Sequence, residues 1–219
     1  FTPLIDFVES RTGIKYTGSY NREDKSDVAT RVVVDHIRAV AFTIADGELP
    51  GNSGAGYVIR RILRRAVRYY YSFLGIKEPF MYSLVHILAQ EFDGVFPELT
   101  AQREFVSKVI LEEEKAFLKT LQGGLSRLDT LDLKDGQIDG KTAFELYDTY
   151  GFPIDLTKLI ALEKGWTIDE TGFQAALGEQ KARSRADAQK EVGDWVELLN
   201  HPDCEFVGYD TCVVNQAKI

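Results

Sequence analysis

The sequence predicts a mainly α protein: a helical, bundle-like domain with one long amphipathic helix and a short β tail. Three observations predict it. Apolar residues recur at helical spacing through most of the chain. Glycine, proline and Asp-Gly pairs mostly stand between those periodic stretches rather than inside them. The β-rich stretches, 205–209 and 211–214, come together at the C-terminal end. With 219 residues, 44% hydrophobic and 27% charged, the composition is globular, not disordered or collagen-like. It fits one or two compact units.

Each element has a local reason. From Val28 to Ala45, Val33, Ile37, Val40, Ala41 and Ile44 form one apolar stripe. Asp27 is placed to cap that helix and Gly47 follows its end. Asp46–Gly51 is a turn-rich loop, and a second helix is expected over Gly54–Leu74. A shorter one follows at 79–92, up to Asp93-Gly94. From Ala101 to Leu131 a long helix carries Val106, Ile110, Phe117, Leu121, Leu125 and Leu128 on one face. Gly123-Gly124 should kink or break it, since each interior glycine costs about 1 kcal/mol against alanine. Asp135-Gly136 and Asp139-Gly140 mark a loop, and 141–147 is a short helix broken by Tyr150-Gly151-Phe152-Pro153. Asp155 is placed to cap a helix over 156–164, and Asp169 a polar one to Lys190. The tail reads as the start of a further domain.

Several function classes drop out. No apolar run approaches the roughly 18 residues that cross a bilayer, so no membrane partner is expected. Cys204 and Cys212 form no CxxC pair, and His36, His86 and His201 are scattered, so neither a zinc site nor a disulfide framework is expected. The chain starts Phe1-Thr2-Pro3-Leu4, without Met or a basic signal region, and is expected to begin inside a longer protein.

The formal net charge of −8 argues at first against a nucleic-acid partner, but the charge is uneven. Between Gly56 and Lys77 every charged residue is basic: Arg60, Arg61, Arg64, Arg65, Arg68 and Lys77. On a helix the five arginines fall within about 140° of arc, opposite Val58, Ile59, Ile62, Leu63, Ala66, Val67, Tyr69 and Tyr70. Arginines one turn apart repel, so they need an anionic partner, inside the fold or outside it. Arginine favours two-pronged pairing with phosphate or carboxylate. Pattern alone leaves a polyanion and internal carboxylates at even odds. Tyr57, Tyr69 and Tyr70 read as core rather than stacking platforms. Gly54-Ala55-Gly56 hints at a nucleotide loop, but no strand precedes it and no Lys-Ser or Lys-Thr follows. It reads better as a helix start where glycines permit close approach.

Three stretches carry a resemblance. They are Val34-Asp35-His36-Ile37-Arg38 with Ile44-Ala45-Asp46-Gly47; Leu49-Pro50-Gly51-Asn52-Ser53-Gly54-Ala55-Gly56 running into Arg60-Arg61-Ile62-Leu63-Arg64-Arg65-Ala66; and Leu146-Tyr147-Asp148-Thr149-Tyr150-Gly151-Phe152-Pro153-Ile154-Asp155. In this order and spacing the chain resembles alanyl-tRNA synthetases of bacterial type, over nearly its whole length. The resemblance implies an internal section of such an enzyme: the helical tRNA-recognition region that follows a class II catalytic core. It implies 1–27 as the end of that core or a lead-in, 28–200 as the recognition domain, subdivided near 132–140, and 201–219 as the start of a β-barrel linker to an editing domain. The core and editing domain of the same chain would be its neighbours, and the cytoplasm its compartment.

The same resemblance implies the function. The parent would attach alanine to tRNA-Ala in an ATP-dependent reaction, as an alanine–tRNA ligase. This section would hold no catalytic residues and would be inactive alone. ATP with Mg, and an editing-domain Zn, would belong to the parent only. Asn52 and Asp148 occupy the positions that read a G·U wobble pair in the acceptor stem, and Arg60, Arg61, Arg64, Arg65 and Arg68 would hold the RNA backbone. Read without the resemblance, Asn52 would cap the helix beginning at Gly54 and Asp148 would cap or turn at Tyr150-Gly151. The rival function is a helical protein-interaction domain whose arginine face takes an acidic partner protein or the chain's own carboxylates.

Overall fold

The computed structural model describes residues 1–188, apart from positions 22 and 134. The expected tail strands, His201, Cys204 and Cys212 lie outside the described residues. Eight helices run in order: α1 (Thr2–Thr12), α2 (Lys25–Ala45), α3 (Gly54–Phe73), α4 (Met81–Glu91), α5 (Pro97–Asp129), α6 (Gly140–Asp148), α7 (Ile154–Glu163) and α8 (Glu170–Ala188). Two short strands, β1 (Gln137–Ile138) and β2 (Thr167–Ile168), pair in parallel and bracket α6 and α7. Phe1–Glu179 makes one compact unit and Gln180–Ile219 a second. The mainly α fold class is as the periodicity predicts.

The core of the first unit is the sum of the apolar stripes. Val33, Ile37, Val40, Ala41 and Ile44 of α2 are all buried, as are Ile59, Leu63, Ala66, Val67, Tyr69 and Tyr70 of α3. Tyr69 and Tyr70 are core residues, as expected. From α5, Val106, Ile110, Phe117, Leu121 and Leu128 reach the same core. α1, which the sequence pattern left unassigned, buries Leu4 and Val8, and Phe7 stacks on Phe80 with ring centroids 5.9 Å apart.

Three local expectations are corrected. Asp27 does not cap α2: Asp24 does, accepting from the Asp27 N–H. Asp27 is itself buried and accepts from Thr17 N–H at 3.0 Å, Ser19 N–H at 2.7 Å and Thr17 Oγ1 at 3.0 Å. It fastens the preceding loop to the helix. Asp155 does not cap α7 either; that cap position is Pro153, without a side-chain bond, and Asp155 stands in the first turn. Asp169 does accept from Gly172 N–H at 2.9 Å, as a cap should.

The third correction positions the site. α5 is continuous through Gly123-Gly124. A methyl on Gly124 would stand 2.4 Å from Phe152 Cε2, and one on Gly123 3.0 Å from Tyr150 Cε1. The glycines are docking points for the Tyr150–Phe152 turn, and the packing they allow outweighs their weak helix propensity. Thr120 Oγ1 also donates to Tyr150 O at 2.7 Å, and Phe117 meets Phe152 edge to face at 5.7 Å.

Candidate nucleic-acid interface

Asn52 and Asp148 lie almost a hundred residues apart, yet α3 connects their surroundings. Asn52 sits in the loop between α2 and α3, exposed. The loop is closed on α3 by Gly51 N–H donating to Gly56 O at 2.9 Å. A methyl at Gly56 would lie 2.4 Å from Leu49 O, so the glycine does permit close approach. Asn52 does not cap α3; Ser53 occupies that position. Instead Arg60 Nη1 donates to Asn52 Oδ1, and Arg60 Nη2 lies 3.4 Å from Pro50 O.

Asp148 is the last residue of α6, exposed. Among the described residues its carboxylate accepts no hydrogen bond and faces no cation within 4 Å, so it neither caps nor closes the turn. A carboxylate at a helix C-terminus sits against the negative end of the dipole. The turn after it is fixed from α3: Arg64 Nη1 donates to Gly151 O at 2.6 Å. Gly151 has φ 68°, and a side chain there would strike Arg64 Nη1 at 2.5 Å. The positive φ favours glycine, and a side chain there would push the Arg64 guanidinium aside.

One residue joins the two halves. Glu113 of α5 accepts from Arg60 Nη2 at 3.2 Å through Oε2, and from Arg64 Nε and Nη2 at 3.1 and 2.7 Å through Oε1. Arg60 Nε lies 2.8 Å from the same Oε1. The Arg64 guanidinium also rests on the Phe117 ring, 5.1 Å from its centroid.

The arginine strip is therefore not a free cationic face. Arg68 is buried at 5% exposure and forks onto both carboxylate oxygens of Glu163. Arg61 Nε lies 3.4 Å from Asp155 Oδ1, with Arg61 42% exposed. Among the described residues Arg65 alone of the five has no carboxylate within 4 Å. It lies near His36, whose pKa is lowered first by burial, with Arg65 adding to the effect against the pull of Asp35. Internal carboxylates thus answer the repulsion for Arg60, Arg61, Arg64 and Arg68, and the strip by itself favours neither RNA nor an acidic partner protein.

Glu113 escaped the sequence reading because Glu112-Glu113-Glu114 looks like a solvated run. Spacing held the signal. Glu113 and Glu114 both fall one turn from Ile110 and one turn from Phe117, which puts acids on the apolar stripe. Among the described residues no group of three or more His, Cys, Asp or Glu is placed to hold a metal, and no helix is long and apolar enough to cross a membrane.

Comparison with known proteins places the chain in a family. A family model described as "tRNA synthetases class II (A)" matches residues 1–219. The chain is 56% identical to an alanine–tRNA ligase of Cytophaga hutchinsonii over 96% of its own length and 24% of that protein's. It is 53% identical to the corresponding ligase of Flavobacterium psychrophilum, covering 100% of the chain and 25% of the relative, and 50% identical to that of Porphyromonas gingivalis, covering 96% and 24%. The chain spans about a quarter of the length of these relatives.

Proposed function

The chain belongs to the class II (A) tRNA synthetase family, and from that premise we propose that it is the acceptor-stem-reading section of an alanine–tRNA ligase. In this reading Asn52 and Asp148 recognise a G·U wobble pair, and the complete protein joins alanine to its tRNA at the expense of ATP. The carrying observation is that one network holds the Asn52 side chain and the turn after Asp148, and that the two exposed side chains have opposite polarity.

Polarity follows from chemistry. An arginine carries donors only. The Asn52 carbonyl thus faces Arg60, and its amide nitrogen is left to donate. Asp148, with no internal partner, offers acceptors only. A G·U pair presents the matching set. Its guanine 2-amino group has no base-pair partner and stands in the minor groove, next to uracil O2. That groove of A-form RNA is wide and shallow enough for side chains to enter. Asp148 accepts from the amine, and Asn52 donates to the neighbouring acceptor. A G·C pair uses the 2-amino group internally and weakens the match.

Backbone contacts narrow to Arg61 and Arg65, the first partly exposed and loosely paired, the second without a carboxylate. Phosphate contacts of this kind place the stem without reading it. Arg60, Arg64 and Arg68 serve the fold and the loops instead. ATP, Mg and the neighbouring domains belong to the rest of the ligase.

The test is aminoacylation of G·U and G·C acceptor stems by the full-length protein. Asn52→Ala and Asp148→Ala should each erase most of the preference for G·U. Preference intact in both variants refutes the assignment. Arg65→Ala should instead weaken both stems alike and reduce the salt dependence of binding by about one unit of slope.

A further inference from the structure

We infer that Glu113 is a positioning residue that sets Asn52 and Asp148 at the separation the wobble pair requires; this rests on the acceptor-stem reading above. Its carboxylate touches the supports of both. Through Arg60 it reaches Asn52 Oδ1 and the Pro50 carbonyl. Through Arg64 it reaches the Gly151 carbonyl, three residues beyond Asp148. Two loops from distant parts of the chain are thus held by one side chain on the continuous, long helix α5.

The physical case has three parts. Glu113 is 12% exposed, and Arg60 and Arg64 are 20% and 15% exposed, so their attraction is screened less than that of a surface pair. Each guanidinium keeps a donor for a loop after binding Glu113, so the carboxylate orients the cation and the cation orients the loop. Without Arg60, the exposed Asn52 side chain regains its rotamers, and ordering it again on RNA costs entropy. An amide at position 113 has one acceptor oxygen and turns an NH2 toward the second arginine. With its oxygen in the place of Oε1, which takes both Arg64 bonds, Glu113→Gln turns its NH2 toward Arg60 Nη2 and so loosens the Asn52 loop while leaving the side-chain volume in place.

A double-mutant cycle in the full-length ligase separates positioning from general stability. Urea unfolding first establishes that each variant is folded; kcat/KM is then measured on G·U and G·C stems. Glu113→Gln is expected to cut the G·U preference about tenfold, the size of one charge-assisted hydrogen bond. In an Asn52→Ala background the same change should alter the remaining preference by less than about twofold. A full tenfold loss on top of Asn52→Ala, or an unchanged preference in folded Glu113→Gln, overturns the inference. If Asn52→Ala and Asp148→Ala lose the preference and Glu113→Gln keeps it, positioning fails while the reading stands. If neither reader variant loses it, both fail. Should Glu113→Gln not fold, Arg60→Gln cuts the same connection, with the same expected loss and the same overturning result.

Discussion

Glu113 and Glu114 are neighbours on α5 and hold different parts of the molecule by different means. Glu113 lies at the rim, where two guanidiniums share it and pass its hold on to two exposed loops. Glu114 is fully buried. It accepts from the N–H groups of Phe80, Met81 and Tyr82 and from Tyr70 Oη, all between 2.8 and 3.1 Å. The cap position of α4 has no side-chain bond of its own, so Glu114 supplies that cap from another helix. Burial raises its carboxyl above the ordinary range, while the four donors pull the other way. A carboxylate shared among cations fixes two loops at the rim, whereas a carboxylate among backbone donors builds a core.

The comparison breaks most visibly at Glu114. Glu114→Ala strands three backbone donors and a phenol in the interior and should cost about 3–5 kcal/mol of unfolding free energy. Urea unfolding of the isolated chain measures this. Glu114→Gln keeps one acceptor and should cost less. Its pH dependence gives a sign to check. A raised folded-state pKa means the folded protein holds the proton longer. The stability that protonation contributes is full below the ordinary carboxyl range and fades as pH rises through the folded pKa. The native advantage over Glu114→Gln should shrink along that rise.

A smaller effect is expected where α5 receives the turn after Asp148. Gly124→Ala drives a methyl into the Phe152 ring and should cost about 1–3 kcal/mol, despite the roughly 1 kcal/mol of helix propensity that alanine returns. It should also weaken G·U preference by moving the turn. A stabilised Gly124→Ala protein with full preference would show that the turn is not braced there.

The smallest effect has the opposite sign. Asp148→Asn removes a charge from the unfavourable end of α6 and should raise stability by about 0.3–1 kcal/mol while lowering G·U preference. Thermal unfolding and aminoacylation, measured together, check that trade. A site residue that costs the fold something and contributes no internal contact behaves this way.

Much of this was legible beforehand. The stripes of α2, α3 and α5 predicted most of their buried faces, because helical period is set by backbone geometry; Val58, placed on the α3 stripe, is exposed instead, and Ile62 and Leu125 are half-buried. The short β1–β2 pair was not legible, since two residues carry no period and their pairing is non-local. Gly123-Gly124 misled because local propensity speaks for a break, and only the Phe152 and Tyr150 rings explain why the helix continues. At the site, Asn52 and Asp148 came from the family resemblance, and their burial-free, uncapped settings are structural findings. The arginine face was visible as a pattern, but its partners Glu113, Asp155 and Glu163 lie 49 to 95 residues away for the pairs Arg64–Glu113, Arg60–Glu113, Arg61–Asp155 and Arg68–Glu163. No window along the chain joins them.

The central claim is that Asp148 accepts from the free 2-amino group of the wobble guanosine. The most direct test replaces that guanosine by inosine, which lacks the amine, and measures aminoacylation by the full-length protein and by its Asp148→Ala variant. The account predicts a loss of about tenfold or more for the native protein, the size of a hydrogen bond to a charged group, and less than about twofold for Asp148→Ala. Equal losses in the two proteins would contradict it.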